Sequence, residues 1–256
     1  MTPHRERVMA AIRRARGEAS RSLCVLGPGN GNDIELGELA RKFERVALVD
    51  LDPQAVERAV SRLSAEEAAR VERYCPVELT DVLPELESLR TRKQRTDADV
   101  SAVKRAILAA PRPTVGSFDV IASTCILTQL IDAVYMSLPR SHQRLSELLM
   151  AVRDRHLHMV LEMLNPGGVG VLVTDFFDAG TKELAPLGAL SIASTQMAMR
   201  QHEYFAGTDP FEIRGFYQRL CEPGPTAADI SIDGPWRWEV GGKVLGVCAV
   251  SFRRQS

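Results

Sequence analysis

The stretch Leu26-Gly-Pro-Gly-Asn-Gly-Asn-Asp33 sets glycines at alternate positions, Gly27, Gly29 and Gly31, directly after a run that reads as a strand, Ser22–Leu26. Such a loop suits the cradling of a ligand by backbone. Glycine permits the tight turn, and no Cβ shields the amides from what approaches. A helix expected next, from about Asn32 to Lys42, would aim its first N–H groups at the same ligand. Alone the spacing is permissive, because loops are glycine-rich in general. Two acids downstream sharpen it. Asp50 ends a second strand, Arg45–Asp50, about twenty residues past the loop, where a carboxylate can accept from both hydroxyls of a ribose. Its alternatives are a solvated strand-end acid or a helix cap. Asp52 already suits the N-cap position ahead of Pro53, which leaves Asp50 free. Asp81 follows a third strand expected at Cys75–Leu79. There a carboxylate could accept from an adenine amino group, with Val82 packed on the ring, or could serve only as a turn residue.

These residues need a scaffold that brings strand ends to one edge. Residues 3–16 read as an amphipathic helix, with Val8, Met9 and Ile12 on one side and arginines on the other. The charged stretch from Leu86 to Pro113 is expected to be helical, with Val100–Ala110 its best helix. Phe118–Ser123 reads as a fourth strand, and Ile126–Leu138 and Ser141–Leu164 as two helices. The turn Asn165-Pro-Gly-Gly168 opens a fifth strand through Val169–Phe176. Trp236–Val240, Gly241-Gly242 and Lys243–Phe252 read as a hairpin. The fold class expected is α/β: three-layer and doubly wound, with a mostly parallel sheet ending in an antiparallel hairpin. Residues 177–234, rich in aromatics, exceed an ordinary βα connection and read as a helical lid insertion before the hairpin. The chain then divides into an N-terminal helix (1–18), a ligand-binding core (20–176), the lid and the hairpin (235–253), all within a single domain.

Composition narrows the partners. A formal net charge of −1 gives no electrostatic reason to expect a polyanion, so nucleic acid is not an expected partner. The basic run Arg90–Arg95 reads as a solvated face. The five cysteines are scattered and odd in number, as in reduced buried thiols, and no metal site is expected. His156 and His158 sit two apart on a helix, about 200° around it, and cannot chelate one ion. No apolar run approaches the ~18 residues that span a membrane, and no signal-peptide core is present, so the cytoplasm is the expected compartment. Oligomeric state is not readable.

With the loop, the two acids and the hairpin in place, the sequence resembles class I, Rossmann-like S-adenosylmethionine-dependent methyltransferases. The resemblance covers roughly residues 20–176 and the hairpin. It implies S-adenosyl-L-methionine as cofactor, with Gly27, Gly29, Asn30 and Gly31 cradling its methionine part, Asp50 and Leu51 at the ribose side, Asp81 and Val82 at the adenine, and Ser123 at the end of strand four. One departure stands out. Where the family often carries an acid two residues before the first glycine, this chain has Val25. Asn30, Asn32 or Asp33 then inherits that task. Asp33 is expected to hold the amino-acid end of the cofactor, its alternative being a helix N-cap or first-turn acid.

Methyl transfer asks the protein mainly to align the acceptor, exclude water and accept a proton, so no fixed catalytic signature is expected. Candidates are His202 in the lid, Asp175 and Asp178 past strand five, and Gln129 on the helix after strand four. Ser123-Thr-Cys-Ile126 does not match the Asn/Asp-Pro-Pro-aromatic motif of enzymes that methylate amino groups of bases or glutamine. Cys125, with no adjacent proline, reads as a small residue opening a helix and not as a nucleophile. The reading is therefore a methyltransferase acting on a small molecule. Its alternatives are an RNA or protein methyltransferase and a catalytically silent S-adenosylmethionine-binding protein. A nicotinamide-dependent oxidoreductase ranks behind these, since the hairpin and the glycine spacing weigh against it.

Overall fold

The computed structural model describes residues 2–179, 205–220 and 224–255. Seven strands form one sheet in the order β3-β2-β1-β4-β5-β7-β6. The strands are β1 (Ser22–Leu26), β2 (Arg45–Val49), β3 (Val71–Tyr74), β4 (Phe118–Thr124), β5 (Leu164–Asp178), β6 (Ala227–Val240) and β7 (Lys243–Arg254). The first five pair parallel with one another, and β7 runs antiparallel between β5 and β6. Gly241 and Gly242 both take positive φ, 56° and 75°, as a two-residue turn matched to strand twist requires.

Side-chain alternation along the apolar strands feeds two helical layers. Leu23, Val25, Val46, Leu48, Val120 and Ala122 pack against α1 (Pro3–Ala15), α2 (Leu36–Lys42) and α3 (Pro53–Val60). Cys24, Leu26, Ala47, Val49 and Ile121 face the other layer, which holds α5 (Leu83–Thr91), α6 (Asp97–Ala109), α7 (Ile126–Ser137), α8 (Leu145–Glu162) and α9 (Pro210–Gln218). A short helix, α4 (Ala65–Ala68), precedes β3 and carries a capping box between Ser64 and Glu67. The three-layer, doubly wound expectation with its terminal hairpin describes this architecture.

Four local expectations are corrected. The third strand lies earlier than Cys75–Leu79, at Val71-Glu-Arg-Tyr74. It is an edge strand whose polar residues face solvent, and Pro76 has no N–H with which to extend the ladder. The helix after the glycine loop begins at Leu36 and not near Asn32. Residues 29–34 form turns that α1 holds from outside: Arg5 Nε donates to the Asn32 carbonyl at 2.6 Å and its Nη1 to Glu35 at 2.5 Å. Strand five starts at Leu164, so Asn165-Pro-Gly-Gly168 lies within β5, at the irregularity in its pairing with β4. The span 177–234 is not wholly lid, because β6 begins at Ala227. Its one described helix, α9, packs on the sheet edge: the Tyr217 ring stacks on Phe252 at 3.8 Å and its hydroxyl donates to the Leu157 carbonyl. Residues 180–204, His202 among them, lie outside the described residues. No described helix is long and apolar enough to cross a membrane.

Candidate functional site

Strand order reverses between β1 and β4, since the chain winds outward through β2 and β3 and then returns beside β1. Crevices at the carboxyl ends of strands at such a point are where ligands of open α/β sheets bind. A cavity of about 350 Å³ opens there. Its walls come from the ends of β1 (Gly27, Gly29) and β2 (Asp50, Leu51, Asp52), from Val77–Leu79 past β3, and from α7 past β4.

Gly27 leaves β1 with φ of 67°, and its N–H donates to the Val49 carbonyl at 2.9 Å. A Cβ here would stand 2.8 Å from Ile126 Cβ, so the close approach of loop to α7 requires glycine as much as the dihedral does. Gly29, with φ of 52°, is different: it lines the cavity, and a Cβ would meet nothing within 4 Å. The Gly29 N–H donates to Asp50 Oδ2 at 2.8 Å, and Asp50 Oδ1 accepts from Asp52 N at 2.9 Å. Asp52 caps α3 through Gln54 N and Ala55 N, as expected. Asp50 is nevertheless not free. It ties the glycine loop to the end of β2 and retains one acceptor site on each oxygen for a ligand hydroxyl. Leu51 beside it is 52% exposed, an apolar side chain held open at the cavity.

Several expected site residues fall outside this lining. Asp81 is exposed in a left-handed turn with φ of 51°, and Val82 is buried beneath it. Glu78 stands in the cavity wall instead. Its carboxylate accepts from Thr80 N at 2.7 Å, Thr80 Oγ1 at 2.6 Å, Val82 N at 2.7 Å and Leu83 N at 3.3 Å, which shapes the turn into α5. Asp81 is turned outward by that arrangement. Ser123 is fully buried on the α8 side, where its Oγ lies 2.9 Å from His156 Nε2. The alternation of β4 sends it into the core. Asn30 faces α3, accepting from Arg58 Nε at 2.8 Å, and Gly31 packs over Ala59. Asp33 is neither N-cap nor first-turn residue of α2, whose N-cap is Glu35. Its carboxylate is held next to α1, with His4 Nε2 3.5 Å away.

Of the α7 wall, sequence reasoning named Gln129 and passed over Ile126, Leu130 and Ala133. Ile126, Gln129, Leu130 and Ala133 line the cavity at positions i, i+3, i+4 and i+7. That is one face of a helix, a periodicity legible once α7 is known to start at the end of β4. Gln129 is exposed there, its amide donating to the Cys125 carbonyl at 3.4 Å.

Cys125 takes a left-handed conformation, φ 51°, as N-cap of α7. Burial pushes its thiol well up, and the nearby Asp175 and Asp33 carboxylates push it further, which disfavours the thiolate. Asp175 on β5 is buried and accepts from Thr128 Oγ1 at 2.6 Å. Burial raises its carboxyl above the usual carboxylate range, against the lowering effect of Thr128. Asp178 is exposed at the end of the strand.

No family model matches the chain, and no curated protein matches it. Solved structures do. Haemonchus contortus phosphoethanolamine N-methyltransferase 2, in complex with phosphomonomethylethanolamine and S-adenosylhomocysteine, is 12% identical with a TM-score of 0.51. The alignment covers 98% of this chain and 53% of that one, so the chain spans about half the length of that relative. The same enzyme with S-adenosyl-L-methionine gives a TM-score of 0.50 at 12% identity and the same coverages. N-methyltransferase NodS from Bradyrhizobium japonicum WM9, with S-adenosyl-L-homocysteine, gives 0.49 at 13% identity over 98% of this chain and 86% of that one. The likeness is one of fold. The chain has the class I methyltransferase fold, with β7 inserted antiparallel between β5 and β6.

Proposed function

We propose that the chain is an S-adenosyl-L-methionine-dependent methyltransferase whose acceptor is a small molecule. The observation that carries this reading is the Gly29–Asp50 pair. Two residues of the cavity wall are tied together, the Gly29 N–H donating to an Asp50 carboxylate that keeps acceptor capacity for a ribose hydroxyl. The residues fit the group: Leu51, Leu130 and Leu83 would offer apolar surface to an adenine, Asp50 would accept ribose hydroxyls, and the loop at Gly27 and Gly29 would admit the sulfonium side close to backbone. When bound, the cofactor supplies a methyl group on a sulfonium, already activated for in-line displacement. This chain's residues then bind, orient and exclude water. Asp175, buried beside the start of α7 and hydrogen-bonded to Thr128, is the carboxylate proposed to accept the acceptor's proton, with Gln129 on the acceptor side.

A small acceptor is supported by the net charge of −1 and by the small-molecule ligand of the Haemonchus structure. Thermal shift tests the cofactor reading. S-adenosylmethionine and S-adenosylhomocysteine at 100 Kd should each stabilise the fold by about 2.7 kcal/mol, and NAD should not. A shift with NAD alone overturns it. Metabolite, RNA and protein fractions incubated with labelled methyl donor test the acceptor; label confined to RNA or protein overturns the small-molecule part.

A further inference from the structure

Two carboxylates of the cavity wall, Asp50 and Glu78, differ in how many acceptor sites they have left, and that decides which part of a nucleoside each can read. A carboxylate oxygen offers two acceptor sites. Asp50 spends one on each oxygen, Oδ2 on Gly29 N at 2.8 Å and Oδ1 on Asp52 N at 2.9 Å, so one remains on each. Glu78 spends both on each. Its Oε1 takes Thr80 N at 2.7 Å and Thr80 Oγ1 at 2.6 Å, and its Oε2 takes Val82 N at 2.7 Å and Leu83 N at 3.3 Å. No acceptor site is left on it for a ligand N–H. Asp81, three residues on, is exposed and outside the lining. The third carboxylate of the wall, Asp52, gives Oδ1 to the cap of α3 and holds Oδ2 3.7 Å from the Arg58 guanidinium.

Beside Glu78 the wall is apolar, with Val77, Leu79 and Leu83, and Leu51 and Leu130 add to it. We infer that this cavity holds a nucleoside by its ribose and by apolar packing of its base, and does not read the base's amino group. It would then take a thioether- or sulfonium-bearing purine nucleoside with either a 6-amino or a 6-oxo group. The inference rests on the cofactor reading above and adds the base specificity of that site. An amino group donates, and it is singled out where a carboxylate with a free lone pair receives it. A 6-oxo group in the same place would set lone pair against lone pair. An apolar wall makes no such distinction, because burial follows the area removed from water and the two purines present nearly equal faces. Gln129, the remaining polar side chain of the lining, ends in an amide that both donates and accepts, so it serves either group.

The test compares two ligands on the full chain by calorimetry: S-adenosylhomocysteine, and S-inosylhomocysteine, which carries a 6-oxo group in place of the amino group. A hydrogen bond from the amino group to a carboxylate is worth at least about tenfold in affinity. Without one, the two dissociation constants should agree within about fivefold, and a larger gap overturns the inference while leaving the cofactor reading intact. Two variants locate the cause. Asp81→Asn, at an exposed position, should leave both constants within about twofold of the wild type. Glu78→Gln sets an NH2 group among donors, so it should lower the urea midpoint and weaken both ligands by one common factor. A loss confined to S-adenosylhomocysteine in either variant means that an acid reads the amino group, which overturns the inference. If Glu78→Gln fails to fold, the wild type and Asp81→Asn decide. A wild-type chain that binds neither ligand overturns the cofactor reading itself, and the inference with it.

Discussion

Adding one methyl group at Gly27 or at Gly29 separates what the loop does for the fold from what it does for the ligand. Both glycines hold left-handed dihedrals, φ 67° and 52°, so alanine at either costs about 1–2 kcal/mol of backbone strain. At Gly27 the new Cβ would also sit 2.8 Å from Ile126 Cβ and 3.0 Å from its Cγ1 and Cδ1. Forcing α7 away adds an overpacking cost of about 1–3 kcal/mol. Gly27→Ala should therefore lose about 2–5 kcal/mol in urea denaturation, and Gly29→Ala only the strain, about 1–2 kcal/mol. Binding should order them the other way once corrected for stability. Gly29 lines the cavity and its new methyl would meet nothing within 4 Å, so on the cofactor reading it would hold the ligand off the backbone beside Asp50. Its affinity for S-adenosylhomocysteine, read by calorimetry below the unfolding range, should fall at least about tenfold, roughly 1.4 kcal/mol. If Gly29→Ala binds like the wild type, or is destabilised as much as Gly27→Ala, the ligand does not lie against this loop.

Two further outcomes are expected. His156 titrates near 6.5 in the unfolded chain but is lowered to about 4 by burial in the fold, chiefly desolvation with Arg155 adding to it. Between those pH values the unfolded state binds the extra proton, so stability falls as pH falls, by on the order of 3 kcal/mol. His156→Gln, which can still reach Ser123 but does not titrate, should flatten the urea midpoint between pH 7 and pH 4.5, with His4, also lowered to about 4 by burial, supplying the residual slope; an unaltered slope counts against the assignment. Asp175→Asn keeps an acceptor for Thr128 and removes a carboxyl whose charged form burial disfavours. Above the raised pKa it should stabilise the fold while lowering methyl transfer; lower stability at neutral pH would show that the charge is compensated by something else.

Much of the scaffold was legible because it rests on local rules. Leu23–Leu26 and Val120–Ala122 are apolar runs on both faces, and such strands belong in the middle of a parallel sheet. Gly241-Gly242 dictates a hairpin wherever two β-rich runs flank it. β3 was misplaced because an edge strand needs no apolar run. Val71-Glu-Arg-Tyr74 is held by its ladder to β2 and by Arg45 reaching Glu72 and Tyr74, which no local pattern announces. The late start of α2 escaped notice for a similar reason, since Arg5 and Met9 of α1 hold the intervening turns from 26 or more residues away.

At the site itself the sequence alone pointed to Gly27 and Gly29 after β1 and an acid at the end of β2, all three in the cavity wall, because backbone freedom and a strand-end carboxylate are properties of residue type and position. Only the tertiary structure decided which way the other acids face. Asp81 and Glu78 lie three residues apart in one turn, and the Glu78 carboxylate, taking four hydrogen bonds, stands in the wall while Asp81 turns to solvent. Ser123 and Cys125 share one strand end, yet Ser123 goes to His156 in the core and Cys125 to the start of α7. His4 accepts from Trp236 Nε1 only because α1 and the terminal hairpin meet, joining residues 232 positions apart. A side chain's type fixes the bonds it can make, and the packing of distant elements fixes which of those bonds are available.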